Sequence, residues 1–273
     1  MLTLTFLGDA SGKSTAIRYD HSSVLMQSDD TSILIDCGEP AAATLTRLGL
    51  PWDSIDAVFI SHMHADHMGG LFQLIKAMQL NGRRKDLTLY VPEEAVRSMQ
   101  AFLLSIYLMP EVLPFELRIL GLKDGLWVDC LGMRVQARAT GHLHWVRRRL
   151  ETVNKSYPDI SFECYGFLVA GGDSMLLYSG DVETVADITR VLNEEPVDVL
   201  ITEMAHLEPE KALPQLAECE VGRVIIHHYH PKWDTDPGEL PRIVERYLCN
   251  RAVIVKSGDV FSVGRGLCER VSS

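Results

Sequence analysis

The chain has 273 residues, of which 47% are hydrophobic and 23% charged, a balance that suits one globular domain over residues 1–273 rather than a disordered or fibrous protein. Its net charge of −11 offers little general attraction for nucleic acid, and the two basic clusters, Arg83-Arg84-Lys85 and Arg147-Arg148-Arg149, are too small to reverse that. The longest apolar stretch, residues 101–109, is about half of the ~20 residues a bilayer requires, so no membrane partner is expected.

An alternating segment over 2–7 predicts a first strand and carries no basic stretch or cleavage site, so no signal peptide is expected. Strands over 23–28 and 32–36, a helix over 41–47, a strand over 57–61 and a helix over 70–80 follow. A strand over 87–91 leads to a helix over 92–107, where Pro92, Glu93 and Glu94 suit a helix start. Residues 99–115 are unusually apolar and read first as core, with a pocket lid or a homodimer face as alternatives. Further strands cover 117–120, 133–139, 164–170 and 174–179; a helix over 185–193 precedes a strand over 197–202, and a helix over 208–218 precedes one over 223–227. A helix over 239–248 and strands over 252–255 and 260–263 complete the pattern. Runs such as Val224-Ile225-Ile226 suit strands buried on both faces. The six cysteines are scattered without a Cys-x-x-Cys pair, which predicts reduced, buried thiols in a cytoplasmic protein.

Several apolar strands end in chemistry-bearing residues: Asp36, His62, Asp181, Glu203 and the pair His227-His228. The densest case is Ser61-His62-Met63-His64-Ala65-Asp66-His67, at a junction between strand and helix. Imidazole and carboxylate together are ligands of zinc and similar divalent metals. Four such groups crowd a single tetrahedral ion, so the spacing suits two adjacent ions, with His62 and His64 on one and Asp66 and His67 on the other. Candidates for the remaining ligands are His142, Asp181 and His228, and Asp181 has one oxygen for each ion. The N/O donor set suits Zn²⁺, with Mn²⁺ or Fe as alternatives.

The run His62-Met63-His64-Ala65-Asp66-His67-Met68-Gly69-Gly70-Leu71 resembles the His-x-His-x-Asp-His signature of the metallo-β-lactamase superfamily. His142, Tyr165-Gly166-Phe167, Ser179-Gly180-Asp181 and His228 follow in that family's order, and Phe6-Leu7-Gly8 and Asp36-Cys37-Gly38 resemble the branch containing ribonuclease Z and related phosphodiesterases. The resemblance runs from about residue 2 to residue 259. It implies an α/β fold: a four-layer αβ/βα sandwich of two mixed sheets flanked by helices. It also implies two metals, one held by His62, His64 and His142, the other by Asp66, His67 and His228, with Asp181 bridging and a metal-bridging hydroxide as nucleophile. The family's Leu-Thr-His-x-Ser pattern aligns His228 with the last ligand, with His227 as the alternative; His230 and His144 are candidate neighbours of the site. Asp36, and more weakly Asp9, are expected to support the metal-bound histidines.

The resemblance implies a metal-dependent hydrolase, first of all a phosphodiesterase acting on a small or medium anionic substrate. Asp66, Glu203 and His206 are the catalytic candidates. Ribonuclease Z carries His-Glu-Ala-Thr where this chain has Thr202-Glu203-Met204-Ala205-His206, so His206 stands in for the missing histidine. Residues 145–163 are too short for that enzyme's tRNA-gripping arm, which leaves a tRNA 3′-end endonuclease as the alternative reading, followed by a thioester or lactone hydrolase and, last, a non-catalytic metal-binding protein. Arg147, Arg148, Arg149 and Lys155 are candidates for guiding an anionic substrate. Gly8-Asp9-Ala10-Ser11-Gly12-Lys13-Ser14 ends like a phosphate-binding loop but has three residues where that loop needs four before Gly-Lys-Ser, so it is not read as a nucleotide site.

Overall fold

A computed structural model describes residues 1–13 and 20–272. In the first half of the chain lie β1 (Leu2–Gly8), β2 (Ser23–Gln27), β3 (Ser32–Ile35), β4 (Ala57–Phe59), β5 (Leu87–Pro92), β6 (Leu117–Leu122) and β7 (Trp127–Cys130). The second half supplies β8 (Met133–Ala139), β9 (Tyr165–Gly171), β10 (Ser174–Tyr178), β11 (Val197–Met204), β12 (Val221–Tyr229), β13 (Ala252–Ile254), β14 (Val260–Gly264) and β15 (Leu267–Ser272). They form two sheets, ordered β15-β14-β1-β2-β3-β4-β5-β6 and β13-β12-β11-β10-β9-β8-β7. Each sheet is mixed: β3 to β6 run parallel in the first and β10 to β13 in the second, with the remaining neighbours antiparallel.

Strand alternation divides the core into three layers of side chains. Phe6, Phe59, Phe167, Val199, Ile201 and Ile225 meet between the sheets. Their strand neighbours point outward: Leu25, Leu34, Val58 and Leu89 pack under α1 (Ala41–Arg47), α3 (Leu71–Leu80) and α4 (Val96–Ser105). On the other side Leu177, Leu200, Val224 and Ile226 pack under α6 (Ala186–Glu194), α7 (Pro209–Ala217) and α9 (Glu239–Leu248). Val224-Ile225-Ile226 is apolar throughout because both of its faces are covered. The result is the expected four-layer αβ/βα sandwich.

The differences from the expected elements have local causes. Pro92 is the last residue of β5, and Glu93–Ala95 form a single 3₁₀ turn before α4 begins at Val96, so the expected helix over 92–107 is shorter at both ends. The edge strands β7 and β15 are absent from the expected set, as are the one-turn helices α2 (Ala65–Met68) and α8 (Lys232–Thr235) and the longer α5 (His144–Thr152). α5 buries none of its residues, so it has no apolar stripe to announce it. The apolar stretch after residue 99 is two-faced: Met99 and Leu103 are buried, while Phe102, Leu104 and Tyr107 are exposed. No helix among the described residues is long and apolar enough to cross a membrane. All six cysteines are free thiols, with Cys37, Cys130 and Cys164 buried, Cys219 and Cys268 half-buried and Cys249 exposed, so burial falls short of the expectation for half of them.

Candidate metal centre

The parallel strands of both sheets release their C-terminal ends at one edge of the sandwich, where α/β proteins gather polar groups. From the first sheet come Asp36, after β3, and the run Ser61–His67, after β4. α2 places His67 one helical turn beyond His64, whose carbonyl accepts the His67 N–H at 3.0 Å. From the second sheet come Asp181 after β10, Glu203 within β11 and His228 within β12. Gly180, with φ of 58°, makes the turn that carries Asp181; a Cβ there would lie 2.4 Å from the Tyr165 carbonyl oxygen.

His62, His64, His142 and Asp181 form one donor group and Asp66, His67 and His228 form the other main one; Asp181, His206 and His228 make a third set that overlaps them. Asp181 stands between the two main groups, fully buried. Its Oδ2 lies 3.8 Å from His62 Nε2 and 3.6 Å from His142 Nε2, whereas its Oδ1 lies 3.3 Å from His67 Nε2 and 3.4 Å from His228 Nδ1. His62 Nε2, Asp181 Oδ1 and His228 Nδ1 are buried without a hydrogen-bond partner among the described residues. Leaving such an atom unpaired costs about 1–3 kcal/mol. Imidazole and carboxylate donors without thiolate are the set divalent cations take, so the residues fit the metal their spacing implied.

Asp36 fixes the geometry from behind. Its Oδ2 accepts from His67 Nδ1 and from the Tyr178 hydroxyl, each at 2.7 Å, and from Ser61 Oγ at 2.9 Å, while Oδ1 accepts from the Ser61 N–H at 2.7 Å. With Nδ1 committed to Asp36, His67 presents Nε2 to Asp181. Tyr178 belongs to β10, so this network ties the two sheets together directly beneath the centre. Asp9 lies at the same strand end: its Oδ1 accepts from the Ser257 N–H at 3.2 Å and its carbonyl accepts from the His228 N–H at 2.8 Å.

The choice between His227 and His228 is made by a bulge. Glu203 pairs with His227 and Met204 with Tyr229, which leaves His228 as the extra residue, at φ of 46°. That twist turns His228 into the cluster, with Nε2 3.2 Å from Asp66 Oδ2 and 3.3 Å from His67 Nε2. His227 points between the sheets, against Phe6 and Tyr178, where burial lowers its pKa well below the ordinary imidazole value and keeps it neutral.

Glu203 and His206 form a pair at the edge of the cluster. Buried Glu203 accepts the Ala205 and His206 backbone N–H groups, each at 2.7 Å, and the Val182 N–H at 3.1 Å. His206 Nδ1 lies 3.0 Å from Glu203 Oε1 and 3.6 Å from Asp181 Oδ2. Burial by itself would depress His206, but the Glu203 hydrogen bond and charge, with Asp181, raise its pKa to about 9. His142, 4.6 Å away between ring centres, moves the other way: burial outweighs the pull of Asp181 and lowers it to about 4. In His67, burial is overcome by Asp181 and Asp36, which hold it well above the usual range. Asp181 is driven well below the ordinary carboxylate value, since the surrounding imidazoles His228, His67 and His62 outweigh its burial.

A cleft of about 200 Å³ opens beside these groups, bordered by His64, Asp66, Asp181, His206 and His228 and, on the outer side, by Lys13 and His230. The arginines after His142 do not border it. Arg148 binds Glu183 Oε1 at 2.6 Å, and Arg147 donates to the Ser161 carbonyl at 2.6 Å. His144, a candidate neighbour of the site, is the first residue of α5 and lies 2.9 Å from Glu183 Oε2. Ser14, the last residue of the run that resembles a phosphate-binding loop, is outside the described residues.

The family model for the Anti-Pycsar protein Apyc1 matches residues 2–239. The chain belongs to that family. Anti-Pycsar protein Apyc1 of Paenibacillus harenae is 40% identical over 74 residues, 27% of this chain and 31% of that protein. Ribonuclease Z of Archaeoglobus fulgidus is 32% identical over 145 residues, 52% of this chain and 45% of that enzyme, so the match spans under half the length of this curated relative. Among solved structures, the metallo-beta-lactamase fold protein YhfI from Bacillus subtilis superposes with a TM-score of 0.73 at 21% identity, covering 96% of this chain and 100% of that one. The Apyc1 family member described here thus has the metallo-β-lactamase fold and is similar over about half of its length to ribonuclease Z.

Proposed function

We propose that this protein is a two-metal phosphodiesterase acting on small or medium anionic phosphodiesters. One cation is held by His62, His64 and His142, the other by Asp66, His67 and His228, and Asp181 is shared. The observation that carries this reading is the division of Asp181, whose Oδ2 faces the first set and Oδ1 the second. Divalent ions bound there would supply an acidified water as nucleophile and neutralise charge on the phosphoryl group.

The remaining steps belong to the protein's own residues. Asp36 accepts from His67 Nδ1 and so turns Nε2 toward the cluster, where a bound cation would take the place of its proton. His206, kept protonated by Glu203, donates a proton to the leaving oxygen from the cleft wall. Glu203 is itself held by three backbone N–H groups, so the imidazole it carries is oriented before substrate arrives.

The test is metal-loaded protein assayed on bis(p-nitrophenyl) phosphate, cyclic phosphodiesters, a precursor tRNA, a thioester and a lactone. Turnover of the small phosphodiesters is expected. Cleavage of the thioester or lactone with none of the phosphodiesters would overturn the reading, and cleavage of precursor tRNA alone would move it to a 3′-end endonuclease.

A further inference from the structure

The turn after β1 carries a sequence motif that the metal centre leaves unused. Residues Gly8 to Lys13 end like a phosphate-binding loop without its spacing. The structure nevertheless builds this turn into the cleft wall. Ala10 bridges to Tyr229, the His228 N–H donates to the Asp9 carbonyl at 2.8 Å, and Ser11 Oγ donates to the Tyr229 carbonyl at 3.2 Å. A Cβ on Gly12 would lie 3.0 Å from Asp66 Oδ2, so the backbone there passes tightly against a member of the cluster. The next residue is Lys13, the one Lys or Arg among the described residues that borders the cleft.

His230 borders the same cleft. Its Nδ1 accepts the Lys232 backbone N–H at 3.1 Å, so in the neutral ring the proton sits on Nε2, which acts as a donor. Lys13 and His230 thus both border the cleft, on segments anchored to the strand end that carries His228. The carboxylates of Asp66 and Asp181 face the histidines of the cluster. Donors of this kind bind an anionic oxygen better than a neutral carbonyl.

We propose that Lys13 and His230 form an anion subsite that takes a non-bridging oxygen of the substrate phosphate and so selects phosphodiesters over neutral esters. The inference rests on the phosphodiesterase reading for its substrate, but phosphate binding tests it without turnover. The metal-loaded full chain is titrated with inorganic phosphate in a calorimeter, alongside kcat and KM for bis(p-nitrophenyl) phosphate and for p-nitrophenyl acetate. Lys13→Met is expected to weaken phosphate binding about tenfold and His230→Phe about fivefold, the losses of a charge-assisted and a neutral hydrogen bond. KM for the diester should rise in parallel, while metal content and acetate hydrolysis stay at wild-type levels and Lys13→Arg restores phosphate binding to within about threefold. Unchanged phosphate binding in Lys13→Met, or an equal loss on the neutral ester, would overturn the subsite. Loss of phosphate binding in a protein that cleaves no phosphodiester would overturn the phosphodiesterase reading and leave the subsite standing.

Discussion

Residues 61–67 and 144–163 both adjoin the cluster, the first by containing four of its members and the second by following His142, yet they are held in opposite ways. In the first, His62 and His67 are buried, Ser61 and His67 are bonded to Asp36, and Asp36 is tied to the other sheet through Tyr178. In the second, α5 buries nothing, Trp145, Tyr157 and Ile160 are exposed, and the segment hangs on polar ties. Glu183 receives His144 and Arg148, and Glu94 accepts the backbone N–H groups of Ser161, Phe162 and Glu163. Groups that must meet a cation within tenths of an ångström sit where packing and hydrogen bonds over-determine them. The segment beside them is attached at a few points that can loosen without disturbing the centre.

That contrast orders the consequences of mutation. Asp181→Ala should have the largest effect, a loss on the order of 10³-fold in kcat/KM, because it removes the carboxylate that faces both donor sets; metal analysis and kinetics on the same preparation check it. His206→Gln should lower kcat about 100-fold with metal content unchanged. The pH profile gives the sign: with its pKa raised to about 9, wild-type His206 is protonated below that pH, so kcat should fall as pH rises through about 9, and the variant should lack that limb. Asp36→Ala should weaken metal binding by about 10–100-fold, and Tyr178→Phe, which removes one of several donors to Asp36, by about fivefold, both read by competition with a chromogenic chelator. Glu94→Gln should change kcat/KM by no more than about threefold, while limited proteolysis between residues 144 and 163 becomes faster. A large kinetic defect in Glu94→Gln would show that the segment positions catalytic groups after all.

Most of the centre was legible because its residues sit at the ends of short apolar strands. His62, His64, Asp66, His67 and Asp181 could be placed from the chain alone, and the structure brings all five together with His142 and His228. The choice between His227 and His228 was open to alignment but not to physical reading, since it rests on a bulge that shifts register by one residue and leaves no mark in the apolar pattern. Tyr178 reads from the sequence as an ordinary inward residue of a buried strand; only the facing of two distant strands makes it a partner of Asp36. α5 has no buried face to mark it in the sequence, and β7 and β15 are edge strands, which need one neighbour only and tolerate polar residues such as Asp129 and Glu269. The arginines of α5 looked like substrate guides by their nearness to His142 in sequence, but side-chain ties to Glu183 and Ser161 occupy Arg148 and Arg147.

The most direct test of the central claim is metal stoichiometry by elemental analysis of wild type, His142→Ala and His228→Ala after loading and desalting. The account expects about two divalent ions per chain in wild type and about one in each variant, the two variants losing different ions, as shown by the retained ion's spectrum after cobalt substitution. A wild-type chain that holds a single ion, or two variants that lose the same one, would contradict a centre divided by Asp181.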